Sequence, residues 1–237
     1  MRLAMRNVFT SGGGGGDIPY ITDGLVAMWD GIWNAGVGVH DQNATTWKDL
    51  VTGINPSVTG SLSWGTDKAV FDGSTVLSFD SENIRSIVNS GNTTVECVCL
   101  RNVRKNYDGP FMFAGNRGIL VNGSSFNTWD SVSYLGAYKN HQTRNGLNVL
   151  NRVILNASLK TLNYQVTEFS SKSILISGSF VRTSGSTSSS ACKIGYGYDA
   201  CMKGYIHAIR IYNRSISASE LDVNYAVDVA RFNLATA

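Results

Sequence analysis

Gly204-Tyr-Ile-His-Ala-Ile-Arg-Ile-Tyr-Asn-Arg-Ser-Ile-Ser-Ala-Ser-Glu220 reads as a strand, a turn and a capped helix in direct succession. Tyr205 to Tyr212 is β-branched and aromatic, a composition suited to a pleated, half-buried ribbon, and Asn213 and Arg214 supply polar turn chemistry. Ser217 followed by Glu220 has the spacing of a capping box, in which each side chain satisfies a backbone N–H at the start of a helix. Leu221, Tyr225, Val229 and Phe232 then recur at helical spacing, so the chain is expected to end in an amphipathic helix near 218–231 docked on the domain.

Upstream, apolar segments alternate with turn residues about every dozen positions. Gly24 to Asp30 is apolar on both faces and predicts a buried strand, followed by a long loop, Gly31 to Thr46, that carries Trp33, His40 and Asp41. Strands are expected over Thr59 to Trp64, Ala69 to Phe79 with a break at Asp72-Gly73, Thr93 to Leu100, Phe111 to Val121 and Ser131 to Tyr138. Further strands are expected over Val149 to Leu159, Thr161 to Phe169 and Ser173 to Val181, and a short glycine-spaced segment follows from Cys192 to Tyr198. Between them Ser81 to Gly91 predicts one short helix, near 82–90, with Ser81 as its cap and Ile84, Ile87 and Val88 on one face. Such close spacing excludes βαβ units and predicts an all-β, two-sheet antiparallel sandwich. Trp29, Trp47 and Trp64 are assigned to its core.

Residues 1–16 stand apart from this pattern. Five consecutive glycines, Gly12 to Gly16, make a tether, and Met1 to Thr10 forms an arm in which Leu3, Met5, Val8 and Phe9 are interleaved with Arg2, Arg6 and Asn7. Residues 17–237 are read as one domain. The Met1 to Phe9 stretch lacks the apolar core and small-residue cleavage site of an export signal.

Composition narrows the function classes. Charged residues are 16% of the chain, against about 25% in an average protein, and the net charge of +3 is scattered apart from Arg101, Arg104 and Lys105. That argues against nucleic acid as a partner, and no apolar run is long enough to span a membrane. Cys97 and Cys99 lie two apart in a strand, share a face and make poor disulfide partners; Cys192 and Cys201 could close a loop, and free thiols are the expected state of all four.

Four blocks, Gly24-Leu-Val-Ala-Met-Trp29, Ala69-Val-Phe-Asp-Gly-Ser74 with Leu77-Ser-Phe79, Thr93 to Leu100 and Gly204 to Glu220, resemble the laminin G-like jelly rolls of the concanavalin A-like lectin and glucanase superfamily. The segments Met28-Trp-Asp-Gly, Trp33-Asn-Ala-Gly, Val39-His-Asp and Trp47-Lys-Asp-Leu50 look like the variants found in phage and prophage proteins of gut bacteria. The resemblance implies two curved antiparallel sheets in a concanavalin A-like jelly roll, glycan or protein binding through a groove or rim, and calcium in some members. For calcium the nearest strand-end carboxylates are Asp17, Asp23, Asp72 and Asp80, with no D-x-D-x-D loop, and no other cofactor is implied.

Glucan hydrolases of the superfamily carry an E-x-D-x-x-E strand. Here the only glutamates are Glu82, Glu96, Glu168 and Glu220, none with acidic neighbours in that pattern, and His40, His141 and His207 form no nucleophile constellation. No catalytic residue is assigned. Sugar binding needs flat rings beside planar polar groups, which singles out Trp129, Tyr134, Tyr138 and His141 around Asn127, Asp130 and Asn140, and Tyr196 and Tyr198 around Gly195 and Gly197. The sequence therefore predicts a non-catalytic, virion-associated adhesion module for bacterial surface glycan, in a fibre, tail or head decoration, with residues 1–16 reaching other virion proteins. A purely structural decoration role and a glycoside hydrolase are the alternatives, and a homo-oligomer suits a fibre.

Overall fold

The computed structural model describes residues 18–90, 92–103, 108–113, 117–122, 125–129, 149–157, 161–181, 191–197 and 200–234. In chain order the first elements are β1 (Leu25–Asp30), β2 (Ser57–Thr59), β3 (Ser63–Trp64), β4 (Ala69–Asp72), β5 (Val76–Phe79), α1 (Glu82–Ser90), β6 (Thr93–Arg101) and β7 (Asp108–Phe113). After these come β8 (Arg117–Asn122), β9 (Ser125–Trp129), β10 (Leu150–Ala157), β11 (Thr161–Glu168), β12 (Ile174–Val181), β13 (Cys192–Ile194), β14 (Lys203–Tyr212) and α2 (Ala218–Arg231). They build two antiparallel sheets, one of eight strands in the order β12-β11-β10-β6-β14-β4-β3 with β1 also on β14, and one of six in the order β2-β5-β13-β7-β8-β9. The expected all-β sandwich is the observed fold.

Several sequence boundaries move, two of them because the chain changes sheet. Thr59 to Trp64 is two strands: β2 joins the smaller sheet and β3 the larger. Ala69 to Phe79 divides the same way, so the Asp72-Gly73 turn is a corner between layers rather than a hairpin. Asp72 fixes that corner, accepting the backbone N–H groups of Ser74 at 2.8 Å and Thr75 at 2.9 Å, which holds its carboxyl down to about 2. Phe111 to Val121 is the β7-β8 hairpin within the smaller sheet, and the first three residues of the Cys192 to Tyr198 segment form the short strand β13. The strand expected at Ser131 to Tyr138 lies outside the described residues.

Period-two alternation fills the space between the sheets. Trp29, Phe71, Leu77, Phe111, Val153, Ile194 and Ile209 face inward with Cys97, Cys99 and Cys192, and Trp47 and Trp64 close one end with their rings edge to face, 5.8 Å apart. Cys97 and Cys99 do share the inward face, whereas Cys201 sits half-buried in a loop bridge opposite Tyr196.

β14 is the central strand. It pairs with β6 along its length, while on its other side Lys203 to Ile206 pair with β4 and Ala208 to Tyr212 with β1. The changeover falls at His207, where a bulge interrupts the register against β6 and the His207 carbonyl accepts the Gly31 N–H at 2.7 Å.

The outer face of the eight-stranded sheet carries an unexpected set of residues. One register row runs Met28, Arg210, Glu96, Ile154, Gln165, Ser177, so Arg210 and Glu96 are cross-strand neighbours on a face that α2 covers. The helix forms as read, with Ser217 and Glu220 making the reciprocal capping box. Its docking surface, however, is mainly polar. Asn224, Tyr225 and Asp228 are its buried residues, while Leu221 and Val229 are only half-buried.

Arg210 donates from both terminal nitrogens to the two oxygens of Asp228, each at 2.7 Å, and from Nε to Glu96 Oε2 at 3.2 Å. Arg152 Nη2 bonds Glu96 Oε1 at 2.5 Å and reaches the helix carbonyl of Leu221. Asn224 donates to Glu96 and to the Tyr212 hydroxyl, and its Oδ1 accepts the Ile21 N–H at 3.0 Å, tying in the incoming chain. Arg231 completes the set on Asp30 Oδ2 at 2.9 Å. Arg152, Arg210 and Arg231 thus balance Asp30, Glu96 and Asp228, three charges against three.

Burial pushes the Glu96 carboxyl up, but Arg210 and Arg152 outweigh it and leave the carboxyl below its usual range. Burial also disfavours the Arg210 cation, and Asp228 and Glu96 reverse that. Such a network contributes less through net attraction than through the penalty for breaking it, because a lone charge left behind stays dehydrated. Asp228→Ala leaves both terminal nitrogens of Arg210 without their carboxylate and only its Nε on Glu96, and is expected to cost about 3 kcal/mol in urea unfolding, whereas Ser217→Ala, losing the cap, costs about 1 kcal/mol.

Candidate functional site

The smaller sheet carries the candidate site on its outer face. In β13, Cys192 and Ile194 point into the core, so Lys193 between them faces out. The register places Lys193 in one row with Ser57, Ser78, Met112, Gly118 and Trp129. Ser57 is exposed, Lys193 and Ser78 are half-buried and Met112 is buried, so among these four the row opens from β7 towards β2.

Immediately after β13 the chain turns sharply. Gly195 adopts φ +73°, and a Cβ there would lie 2.2 Å from the Phe71 ring, so no other residue fits without displacing the core. Its N–H is held by the Pro110 carbonyl and its carbonyl by the Met202 N–H, both at 2.8 Å. That anchored turn delivers Tyr196 beside the strand, where Lys193 Nζ stands 4.0 Å from the centre of its ring. A half-buried aromatic ring, an ammonium group and the Ser78 hydroxyl row form a surface that offers stacking, a positive charge and hydrogen bonds together.

Of the residues singled out in the sequence, Tyr196 is at this place and Trp129 ends β9 in the same register row. Tyr134, Tyr138, His141 and Tyr198 lie outside the described residues, as do Asp130 and Asn140. Sequence reading missed Lys193, whose signal was its position between two core-facing residues, three before a tyrosine. A second polar surface was also missed. On the larger sheet beyond α2, exposed Asn163, Ser177 and Ser179 and half-buried Gln165 make an uncharged amide and hydroxyl shelf.

The four glutamates each have a different setting, none of them a catalytic pair. Glu96 is sealed under α2, Glu220 caps that helix and pairs with Arg214, Glu168 accepts the Ser171 hydroxyl at 2.9 Å, and Glu82 begins α1. Among the described residues no group of three His, Cys, Asp or Glu is arranged to hold a metal, and no helix is long and apolar enough to cross a membrane.

His207 and its neighbours set a pH response. Its ring is buried between Tyr205 and Phe232, the latter 4.9 Å away, with Nδ1 3.0 Å from the Asp67 carbonyl. Burial lowers its pKa, opposed only in part by Asp67.

No protein-family model matches the chain, and no curated protein matches it. Its fold is similar to that of several solved structures. A Trypanosoma rangeli sialidase in complex with sialic acid superposes with a TM-score of 0.61 at 13% identity, covering 85% of this chain and 32% of the sialidase. Domain 4 of a GH43 extracellular arabinanase from Geobacillus stearothermophilus, in complex with arabinotriose, gives 0.56 at 15% identity, covering 84% of this chain and 97% of that domain. The receptor-binding domain of botulinum neurotoxin C/D mosaic serotype gives 0.61 at 12% identity, covering 89% of this chain and 53% of that one. The chain thus spans about a third of the sialidase and about half of the toxin fragment, and at these identities the likeness is one of fold.

Two measurements check this geometry. Gly195→Ala is expected to lower stability by about 1–3 kcal/mol in thermal unfolding, since it combines a disfavoured φ with a clash on Phe71. For His207 the folded pKa lies below the unfolded one, so the unfolded chain binds the extra proton and stability falls as pH drops through about 6.5 towards the folded value. His207→Phe is expected to flatten that part of the stability profile between pH 7 and pH 5.

Proposed function

We propose that this chain is a non-catalytic glycan-adhesion domain of the laminin G-like, concanavalin A-type kind, and that the outer face around Lys193, Ser78 and Tyr196 is where it meets sugar. The observation that carries the reading is the Lys193 ammonium held 4.0 Å over the half-buried Tyr196 ring on the outer, partly exposed face of the smaller sheet. Sugars present C–H faces that stack on aromatic rings and a periphery of hydroxyls that bond to amines and serines. Two solved structures of similar fold hold sialic acid and arabinotriose, and a third is a receptor-binding domain, which supports the same reading. The absence of an enzymatic role is supported by the settings of the four glutamates.

Placement on a phage particle, with bacterial surface glycan as the partner and residues 1–16 as the link to other virion proteins, rests on the sequence resemblance and on the arm-and-tether composition. A glycan array with the purified chain is the test. Binding to at least one bacterial surface polysaccharide is expected, with Tyr196→Ala and Lys193→Met each weakening it tenfold or more at unchanged melting temperature. No reducing ends should appear on prolonged incubation with β-glucans. Retention of full binding by both variants would move the site elsewhere, and steady release of reducing sugar would make the domain an enzyme.

A further inference from the structure

The strand edges of the two sheets are unequal. β2 and β3 are kept to three and two residues, the short length that leaves little backbone for another chain to pair with. β12 is different. It runs for eight residues, Ile-Leu-Ile-Ser-Gly-Ser-Phe-Val, and has no strand on its outer side among the described residues.

One protection that natural edges use is present on β12, a register shift against β11 at Leu175, and it is confined to the start of the strand. β12 has no lysine, no other charge and no proline, and its neighbour β11 carries a single charge, Glu168, at its end. Ile174 is 59% exposed at the start of the edge, and exposed Ser177 and Ser179 leave the backbone uncrowded. Gly178 lies against the Tyr164 side chain, where a Cβ would meet the hydroxyl.

We infer that β12 is an acceptor edge for residues Arg2–Thr10 of a second copy of this chain, which add to it as a further strand. The length fits, since nine residues at ~3.4 Å each cover an eight-residue edge. The composition also fits: Leu3, Met5, Val8 and Phe9 are interleaved with Arg2, Arg6 and Asn7, which supply the charge that the edge lacks.

The chain's own arm is poorly placed for the task. Tyr20 stacks on Arg210 of β14, at 4.3 Å from its ring, and Arg152 places α2 over the outer face as far as β10. From β14 to a strand beyond β12 is five inter-strand spacings, ~24 Å, before the detour around a helix ~10 Å thick. The nine residues from Ser11 to Pro19 span ~30 Å at most, so reaching their own edge would draw a glycine-rich segment taut at a high cost in entropy. A second copy brings its edge to the arm at no such cost.

Light scattering coupled to size-exclusion chromatography of the full chain tests this. The wild type is expected to run at twice 25.6 kDa or a higher multiple. Leu3→Asp with Phe9→Asp spoils the donor, Ile174→Lys with Ser179→Lys spoils the acceptor, and each variant is expected to run as a monomer at an unchanged melting temperature. An equimolar mixture of the two restores a dimer, because one keeps the edge and the other keeps the arm. Ser177→Lys, at an exposed position, supplies the acceptor block should the double edge variant lose its fold. A wild-type chain that stays monomeric from micromolar to millimolar concentration, variants that still associate, or a mixture that stays monomeric would each overturn the inference.

Discussion

A charge buried in a protein must be met by its complement or expelled, and the ion network under α2 is where this constraint organises the fold. Arg210 stands near the end of the central strand, fully buried, with Glu96 beside it on β6 and Asp228 above it on the helix. Each of these charges would destabilise the sheet alone. Together they require that β14, β6, β10 and α2 be in register at once, since Arg152 and Asn224 also converge on Glu96. The network therefore links the end of the chain to its middle, and through Asn224 and Ile21 to its beginning. Apolar contacts supplement it: Tyr225 packs on Phe169 with ring centres 4.8 Å apart, and Phe232 packs on His207.

That seal divides the molecule's two outer faces. The face of the larger sheet is occupied by the helix over its central strands, leaving an uncharged shelf and the β12 edge at its margin. On the smaller sheet no helix contacts β2, β5 or β13 through a hydrogen bond or ring contact among the described residues, and here the glycine turn at Gly195 sets an aromatic ring and a lysine side by side. One side is thus closed by the helix, and the other leaves Lys193 and Tyr196 partly exposed.

The parts legible in sequence were those encoded locally. The capping box at Ser217 and Glu220, the helix beginning at Ser81, and the inward alternation of β6 and β14 depend on residues a few positions apart. The strand-to-strand crossings at Thr59 to Trp64 and Asp72-Gly73 were not legible, because a turn between sheets and a turn within a hairpin use the same residues. The ion network was hidden for a related reason. Glu96 lies 56 residues from Arg152 and 114 from Arg210, so each charge looked like an isolated polar residue in an apolar strand. At the candidate site Tyr196 was legible as an aromatic between glycines, whereas Lys193 gained its meaning only from the register that faces it outward.

Hydrogen exchange read residue by residue tests the central claim, that buried charges make α2 an integral part of the sandwich. The account predicts that amides in the middle of α2, around Asn224 to Asp228, exchange as slowly as those of β6 and β14 and share their dependence on denaturant, because the helix leaves only when the sheet opens. A helix whose amides exchange orders of magnitude faster than the central strands, by a local opening that denaturant does not affect, would contradict it.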